Sequence, residues 1–247
     1  MLGLAGFLIV LVAWELVVRL GLVRAILLST PTAIFQTAVD ELAGGRIWRD
    51  AGVSLAEYAG GMFFAILIGV PIGIAAGWSD RLGAIINPWL TALYVTPVVA
   101  LVPVFILWFG IGISMKIFLV FLVAMFPIAI NVVAGVRAAE HRFVRVAASF
   151  GASRARLFRT IILPGTTPFI FTGIRQASGR ALVGVVVAEL IASNQGIGFM
   201  ISIAGSTFNT SRVMFGILLL AIFGVLVGNL LERLERRFDA WRPAANA

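Results

Sequence analysis

The sequence predicts an all-α membrane protein that crosses the bilayer six times, on the evidence of its composition and the spacing of its apolar stretches. Of its 247 residues, 61% are hydrophobic and 12% are charged, whereas soluble domains are about 45 to 50% apolar. Six stretches approach the roughly 20 apolar residues that a helix needs to cross a bilayer. They are residues 2–18, 58–78, 93–111, 117–136, 166–191 and 213–231. They leave no room for a separate soluble domain, so we expect one transmembrane domain over residues 1–247.

The first two spans and the segment between them carry further signals. Residues 2–18 lack the positively charged n-region and the cleavage site of a signal peptide, so we expect a retained helix. In the outer segment 21–51, Pro31 precedes apolar residues at helical spacing, which predicts a short helix on the membrane surface. In the second span small residues recur every four positions, at Gly61, Ala65, Gly69, Gly73 and Gly77. Such a strip predicts a closely packed neighbouring helix, and it leaves open whether that helix belongs to the same chain or to a second copy.

Prolines interrupt the apolar stretches of the second, third and fourth spans. They are Pro71, Pro97, Pro103 and Pro127. Because a proline inside a helix removes one backbone hydrogen bond, we expect these spans to bend.

The placement of basic residues predicts the orientation in the membrane. With six spans and both termini inside, eleven basic residues face the cytoplasm: Arg81, six arginines of the segment 137–164, and four arginines after residue 231. Six face outward, namely Arg19, Arg24, Arg46, Arg49, Lys116 and Arg212. Since cytoplasmic loops carry the excess of Lys and Arg, the segment 137–164 is expected inside. The net charge of +8 is thereby explained mostly by topology, and no soluble basic surface for nucleic acid is expected.

The segment 137–164 is the only strongly charged, long polar interval between the spans, and we interpret it as two short helices hinged at Gly151. Gly151 suits a left-handed helix end, and Ser153 can cap the following helix. One apolar face of the first helix consists of Phe143, Val146, Ala147 and Phe150. The second helix carries apolar Leu157, Phe158, Ile161 and Ile162, with Arg154, Arg156 and Arg159 around the rest.

The spacing within this segment resembles a known family. Gly151, nine residues, and then Ile161, Leu163 and Pro164 are similar to the cytoplasmic "EAA" loop of ABC importer permeases, which docks on the ATPase subunit. The family's Glu-Ala-Ala triplet falls on Arg145, Val146 and Ala147, so only the last alanine matches. The resemblance implies an ATPase-docking role for Phe143, Val146, Ala147, Phe150, Gly151, Ala152, Ser153, Arg154, Arg156, Leu157 and Phe158. The alternative is an amphipathic hairpin lying on the anionic membrane surface.

Other stretches extend the resemblance over most of residues 28–201, and they are similar to the sulfonate, taurine and nitrate branch of this binding-protein-dependent family. They include residues 28–32, 95–112, 172–175, 179–181, 187–189 and 196–201. The resemblance implies the type I (MetI-like) permease fold in a bacterial cytoplasmic (inner) membrane, assembled as a homodimer in contact with membrane lipid. It further implies two cytoplasmic ATPase subunits that bind ATP and Mg, and a periplasmic or lipid-anchored solute-binding protein. The implied substrates are aliphatic sulfonates or taurine, then nitrate or bicarbonate, with pyrimidine precursors in some relatives.

Three charged residues in the fifth span are the candidates for the translocation path: Arg175, Arg180 and Glu189. Charged groups within the hydrocarbon are costly and are functional candidates by default. Arg180 either pairs with a carboxylate on a neighbouring helix or lines a path for an anion, whereas Arg175 could instead extend to the membrane surface. We expect Glu57 and Glu189 to lie toward the outer interface, where both would be solvated.

The residue inventory disfavours an enzyme and a metal site. There is no cysteine, His141 is the only histidine, and Lys116 is the only lysine, so a Gly-x-x-x-x-Gly-Lys nucleotide loop cannot exist. We therefore expect no catalytic residues, no metal and no cofactor bound by this chain. An ion-coupled secondary transporter is the alternative function, although few intramembrane acids and no inverted repeat are apparent. An intramembrane enzyme is disfavoured because no catalytic pair lies at membrane depth.

Overall fold

A computed structural model describes the backbone of residues 2–149 and 151–236, and their side chains except those of residues 2, 4 and 139–150. All regular elements in these ranges are helical. The α-helices are α1 (Leu2–Arg19), α2 (Pro31–Gly44), α3 (Arg46–Trp78), α4 (Asp80–Val95), α5 (Val102–Phe109), α6 (Ile113–Ser149), α7 (Arg154–Leu157), α8 (Leu163–Ala192), α9 (Ile197–Ser206) and α10 (Thr210–Arg236). A 3₁₀ turn, Val98–Leu101, precedes α5, and a π-helical turn, Phe158–Ile162, joins α7 to α8.

The chain forms two compact units. One comprises residues 1–56 and 186–223, and the other comprises residues 57–185 and 224–247. Helices α3, α8 and α10 each contribute residues to both units. That the whole chain acts as one permease domain stays a prediction.

The described helices account for most of the predicted spans. Four are long and apolar enough to cross a membrane: α3, α6, α8 together with the turns before it, and α10. The bent pair of α4 and the helix over residues 98–109 makes a fifth if it is one span. The first predicted span forms α1, whose 18 residues are at the short end of the crossing range. The fold is therefore all-α with four or five spans among the described residues, and a total of six stays a prediction.

The third predicted span, 93–111, is wrong as a single helix. The chain is already helical from Asp80, and the two helices meet at an angle of 84° after Val95. The cause is Pro97, which lacks a backbone N–H and disfavours the helical conformation of the residue before it. Thr96 accordingly adopts an extended conformation, with φ −66° and ψ 131°. The prolines at positions 71 and 127, in contrast, lie inside continuous helices.

The segment 137–164 also differs from the prediction, because it does not form two separate short helices. Its first half continues α6 without interruption as far as Ser149, and its second half leads through α7 and the π turn directly into α8. Gly151 confirms the predicted turn, with a left-handed φ of +75°. Ser153 confirms the predicted cap, since its Oγ accepts a hydrogen bond from the Arg156 N–H at 3.4 Å. The two halves are thus the ends of long helices.

The outer segment contains the predicted helix α2. Thr30 caps it, its Oγ1 accepting a hydrogen bond from the Ala33 N–H at 3.2 Å, and Pro31 occupies the first turn. Gly45 ends the helix with φ +76°. Helix α3 begins at the next residue, Arg46, which lies twelve residues before the start of the predicted second span.

The glycine strip of α3 packs against α6 of the same chain, which answers the question that the sequence left open. A Cβ atom at Gly61 would lie 2.3 Å from Val120 Cγ1, and one at Gly73 would lie 2.6 Å from Val132 Cβ. The same close approach recurs at Gly77, against Val136. The absence of side chains lets the two helices come together over about four turns.

Replacing Gly61 by leucine is expected to destabilise this packing. The new side chain would overlap Val120, and overpacking of this kind costs about 1 to 3 kcal/mol or more. The thermal unfolding midpoint of the detergent-purified chain should fall. Gly52→Leu on the same helix is the matched control, because no atom lies within 4 Å of its Cβ position. An equal midpoint for the two variants would contradict the proposed close approach.

Candidate functional site

A cleft in the larger unit contains Arg180, and we call it the Arg180 cleft. Its volume is about 330 Å³. Three elements line it: the end of α4 with the turn that follows, the middle of α6, and the middle of α8. The lining residues are Leu93, Tyr94, Thr96, Val98, Val99, Val123, Phe126, Gly179, Arg180 and Val183. Because Pro97 interrupts the helix there, the break itself forms one wall.

Tyr94 holds the guanidinium of Arg180 in this cleft. Arg180 Nη2 donates a hydrogen bond to Tyr94 Oη at 2.6 Å, and its guanidinium carbon lies 4.2 Å from the centre of the tyrosine ring. This geometry combines a hydrogen bond with a cation–π contact. Among the described residues, no carboxylate lies within ion-pair distance of Arg180. The carboxylate pair that the sequence left open for Arg180 is thus not seen among the described residues, and its role in a path for an anion stays a prediction.

Arg175 lies one and a half turns before Arg180 on α8, and its surroundings differ. Its Nε is 3.4 Å from Glu235 Oε2 of α10, and its side chain is 45% exposed. Glu235 is buried and also accepts a hydrogen bond from Thr172 Oγ1 at 2.8 Å. Arg175 therefore ties α8 to α10, and a role in the path stays a prediction for it.

Glu189 is buried, which corrects the expectation that it is solvated at the outer interface. It is 1% exposed, and its carboxyl group accepts hydrogen bonds from Ser54 Oγ and from the Gly198 N–H, both at 2.6 Å. Ser54 Oγ in turn accepts the Ile197 N–H at 3.0 Å. Glu189 thus accepts one N–H at the start of α9 directly and supports the acceptor of a second one, Ser54, at a helix end where N–H groups lack partners within the helix. Whether it also borders the path stays a prediction.

Asp50 completes this cluster, which we call the Glu189 clamp and define by Asp50, Ser54, Glu189 and residues 196–198. Asp50 Oδ1 accepts the Gly196 N–H at 3.0 Å. Gly196 adopts φ +112°, and a Cβ atom there would lie 2.0 Å from Glu189 Oε1. The clamp joins the first turns of α3, the end of α8 and the start of α9 within the smaller unit.

Glu57 is likewise buried rather than solvated. It is fully enclosed and forms an ion pair with Lys116, which is 4% exposed. Removing two charges from water is costly, so such pairs persist only where each charge has a partner. The pair links α3 to the first turn of α6. The two charged residues could be recognised in the sequence, but their ion pair could not be predicted, because 59 positions separate them.

The predicted docking residues separate into exposed and packed ones. Arg154 and Arg156 are exposed, whereas Leu157 is buried and the Phe158 ring packs edge-on against Trp78 at 5.5 Å. Ser153 and Gly151 are exposed, and Ala152 is partly exposed. The predicted docking residues Phe143, Val146, Ala147 and Phe150 lie outside the described side chains, so their docking role stays a prediction.

Candidate metal ligands do not cluster among the described side chains, those of residues 3, 5–138 and 151–236: no group of three His, Cys, Asp or Glu there is placed to hold a metal ion.

Comparison with known families identifies the chain. Residues 69–240 match the family described as "Binding-protein-dependent transport system inner membrane component". The chain belongs to this family. The resemblance inferred from the residues around Gly151 is thereby confirmed, and the protein is a multi-pass membrane permease with a transport role.

Relatives match this permease over nearly its whole length. It is 34% identical to the taurine transport system permease protein TauC of Escherichia coli (strain K12), with 97% of this chain and 89% of the relative covered. It is 35% identical to the putative aliphatic sulfonates transport permease protein SsuC of Bacillus subtilis (strain 168), with 95% and 85% covered. The formylaminopyrimidine transport permease protein ThiX of Halalkalibacterium halodurans is 29% identical, with 96% and 94% covered.

The permease also shares its fold with a solved transporter. A chain of the MetNI methionine ABC transporter, in an inward-facing crystal form, superposes with a TM-score of 0.69. The alignment covers 80% of this permease and 98% of that chain, at 18% identity. This superposition supports the predicted type I permease fold. The predicted total of six spans stays a prediction.

Proposed function

We propose that this permease forms the translocation path of an ATP-driven importer for a small organic anion, with aliphatic sulfonates and taurine as the substrate class. The observation that carries the proposal is the 34 to 35% identity, over at least 95% of the chain, to a taurine permease and to an aliphatic sulfonate permease. The Arg180 cleft supports it physically, since a guanidinium inside a spanning helix provides a favourable site for an anion.

The partners follow from the same assignment. Two copies of the permease form the membrane part, two ATPase subunits with ATP and Mg bind from the cytoplasm, and a solute-binding protein delivers the substrate from outside. The chain itself binds no cofactor. The exposed arginines 154 and 156 supply cationic docking groups for the ATPase.

Helices α6 and α8 connect the proposed docking segment to the Arg180 cleft, and they would couple ATPase movement to the cleft. The segment 137–164 consists of the ends of α6 and α8, and the same two helices form walls of the Arg180 cleft. We therefore expect a displacement of the docked ATPase to reach the cleft walls along these two helices. ATP binding favours one of two packings of these helices, and the cycle alternates between them.

In the proposed membrane orientation, the segment 137–164 and both termini lie in the cytoplasm of a bacterial cell, and the α2 region lies outside. Because the chain has no cysteine, single cysteines can be introduced without a competing thiol. Cysteines at Arg156 and Arg233 should react with a membrane-impermeant maleimide only from the cytoplasmic side, and one at Gly44 only from outside. Labelling of position 156 from the outer side would overturn both the orientation and the ATPase contact.

Uptake tests the proposed function. In a bacterial host without its own sulfonate permeases, the permease with its ATPase and binding protein should import labelled taurine or ethanesulfonate. Arg180→Gln should lower this uptake by about tenfold or more, because the cleft loses its charge while the amide keeps its polarity. Arg81→Gln removes an exposed charge outside the cleft and should leave uptake unchanged. No uptake of either anion by the wild-type complex would reject the substrate class.

A further inference from the structure

The charge of the Arg180 cleft distinguishes between the two sulfonates named above. We propose that the cleft selects an aliphatic sulfonate without a positive group, such as ethanesulfonate, over taurine, which has the same two-carbon sulfonate skeleton but carries an ammonium at its end. This proposal rests on the proposed function and names the substrate class more narrowly.

The lining of the cleft carries one sign of charge. Arg180 is its only charged residue, and none of the ten lining residues is an aspartate or a glutamate. A sulfonate gains the attraction of the guanidinium. The ammonium of taurine would find no counter-charge in the lining, and it would lie a few ångströms from a like charge. Such repulsion is an effective way for a site to reject a closely similar ligand.

Tyr94 leaves most of the guanidinium available. A guanidinium has five N–H donors in a planar fork, and the described contact with Tyr94 Oη uses one of them. The guanidinium carbon also lies 4.2 Å from the centre of the Tyr94 ring, so the same side chain holds Arg180 by two contacts. A fork held in this way is well suited to the oxygen atoms of a sulfonate. Tyr94 is therefore a positioning residue for Arg180.

The size and polarity of the remaining walls suit a short alkyl chain. About 330 Å³ is at the lower end of the range for ligand pockets, roughly 300 to 1,000 Å³. The hydroxyl of Thr96 is already committed, since it donates to the Ala92 carbonyl at 2.9 Å. The other walls are aliphatic or aromatic: Leu93, Val98, Val99, Val123, Phe126 and Val183. A ligand with one anionic head and an apolar tail matches this division.

Charged thiol reagents test the selection on the full chain in membrane vesicles. Thr96→Cys places a single thiol in the cleft of a chain that otherwise has none. Its rates of reaction with 2-sulfonatoethyl methanethiosulfonate and with the trimethylammonium-ethyl analogue give a ratio, in which the reactivity of the thiol itself cancels. The ratio should favour the sulfonate reagent, and Arg180→Gln should lower it by about tenfold, whereas Arg81→Gln should change it by less than about twofold.

A second cysteine keeps the test decisive if Arg180→Gln does not fold. Gly205→Cys lies on an exposed position of α9 with no atom within 4 Å of its Cβ, and it is not part of the cleft. The ratio at position 96 should exceed the ratio at position 205. Equal ratios at the two positions would overturn the proposal without any variant of Arg180.

Protection by free ligands separates ethanesulfonate from taurine. Neutral methyl methanethiosulfonate serves as the probe at Thr96→Cys, and ethanesulfonate should slow its reaction more than taurine at the same concentration. Equal slowing would overturn the selection, and no slowing by either ligand would overturn the binding site. These thiol reactions need neither the ATPase nor the binding protein. If the reaction ratios are as expected but no sulfonate is taken up, the proposed importer function is rejected and the selective cleft is not.

Discussion

Replacing Gly151 by proline should leave the permease in the membrane and abolish its complex with the ATPase. Gly151 has φ +75°, and proline is fixed near −65°, so the turn between α6 and α7 cannot form. The exposed arginines that follow the turn would then point away from their present positions. Since transport by the proposed importer requires the docked ATPase, uptake should fall to background.

Co-purification of the ATPase with a tagged permease measures this effect. Gly151→Asn is the matched control, because asparagine tolerates a left-handed conformation far better than other side chains do. The control should retain most of the complex, and both variants should reach the membrane in similar amounts. An undiminished yield of complex from Gly151→Pro would refute the docking role of the segment 137–164.

Replacing Gly196 by alanine should strongly destabilise the Glu189 clamp. A Cβ atom at this position would lie 2.0 Å from Glu189 Oε1, and φ is +112°, a region in which side chains are strained. Strain of this kind costs about 1 to 3 kcal/mol, and displacing a buried carboxyl group from its donors costs roughly as much again. We expect a loss of about 3 kcal/mol or more in the free energy of unfolding.

Thermal unfolding of the detergent-purified permease measures this loss. Gly205→Ala, on α9 of the same unit, provides the control, since its Cβ position is open. Alanine is favoured over glycine inside a helix by about 1 kcal/mol, so the control should be as stable as the wild type or more stable. A Gly196→Ala midpoint equal to that of the control would show that the clamp does not hold this region.

The small-residue strip shows how far the sequence could lead. A repeat of four positions in α3 predicts a close helix neighbour, because small residues at this spacing lie along one face of a helix. That the neighbour is α6 depends on contacts such as Gly61 with Val120, which lie 59 positions apart. Spacing along one helix carries no information about the partner, so the structure had to supply it.

The boundaries of the helices were harder to predict than their existence. Hydropathy detects the part of a helix that lies in the hydrocarbon, whereas the backbone hydrogen bonds of α6 continue to Ser149 beyond the apolar stretch. The turn at Gly151 could be predicted, because glycine is the residue that adopts a left-handed helix end at no steric cost. The break at Pro97 could be anticipated as a bend, but not its angle of 84°.

The polar groups of the candidate sites were predicted as residues but not as contacts. Arg180 was recognisable from its place in an apolar stretch, while its partner Tyr94 lies 86 positions away and is not charged. Glu189 was expected to be solvated because a single carboxyl group usually is. Its burial depends on Ser54 and Gly198, and neither residue signals a buried hydrogen bond in the sequence.

Uptake by purified components tests the central claim most directly. The permease, its ATPase and its solute-binding protein would be reconstituted in liposomes, with labelled ethanesulfonate and the binding protein on the same side. The account predicts uptake that requires ATP and the ATPase, and that stops when either is omitted. Uptake driven by an ion gradient in liposomes that contain the permease alone would contradict it and would identify an ion-coupled transporter instead.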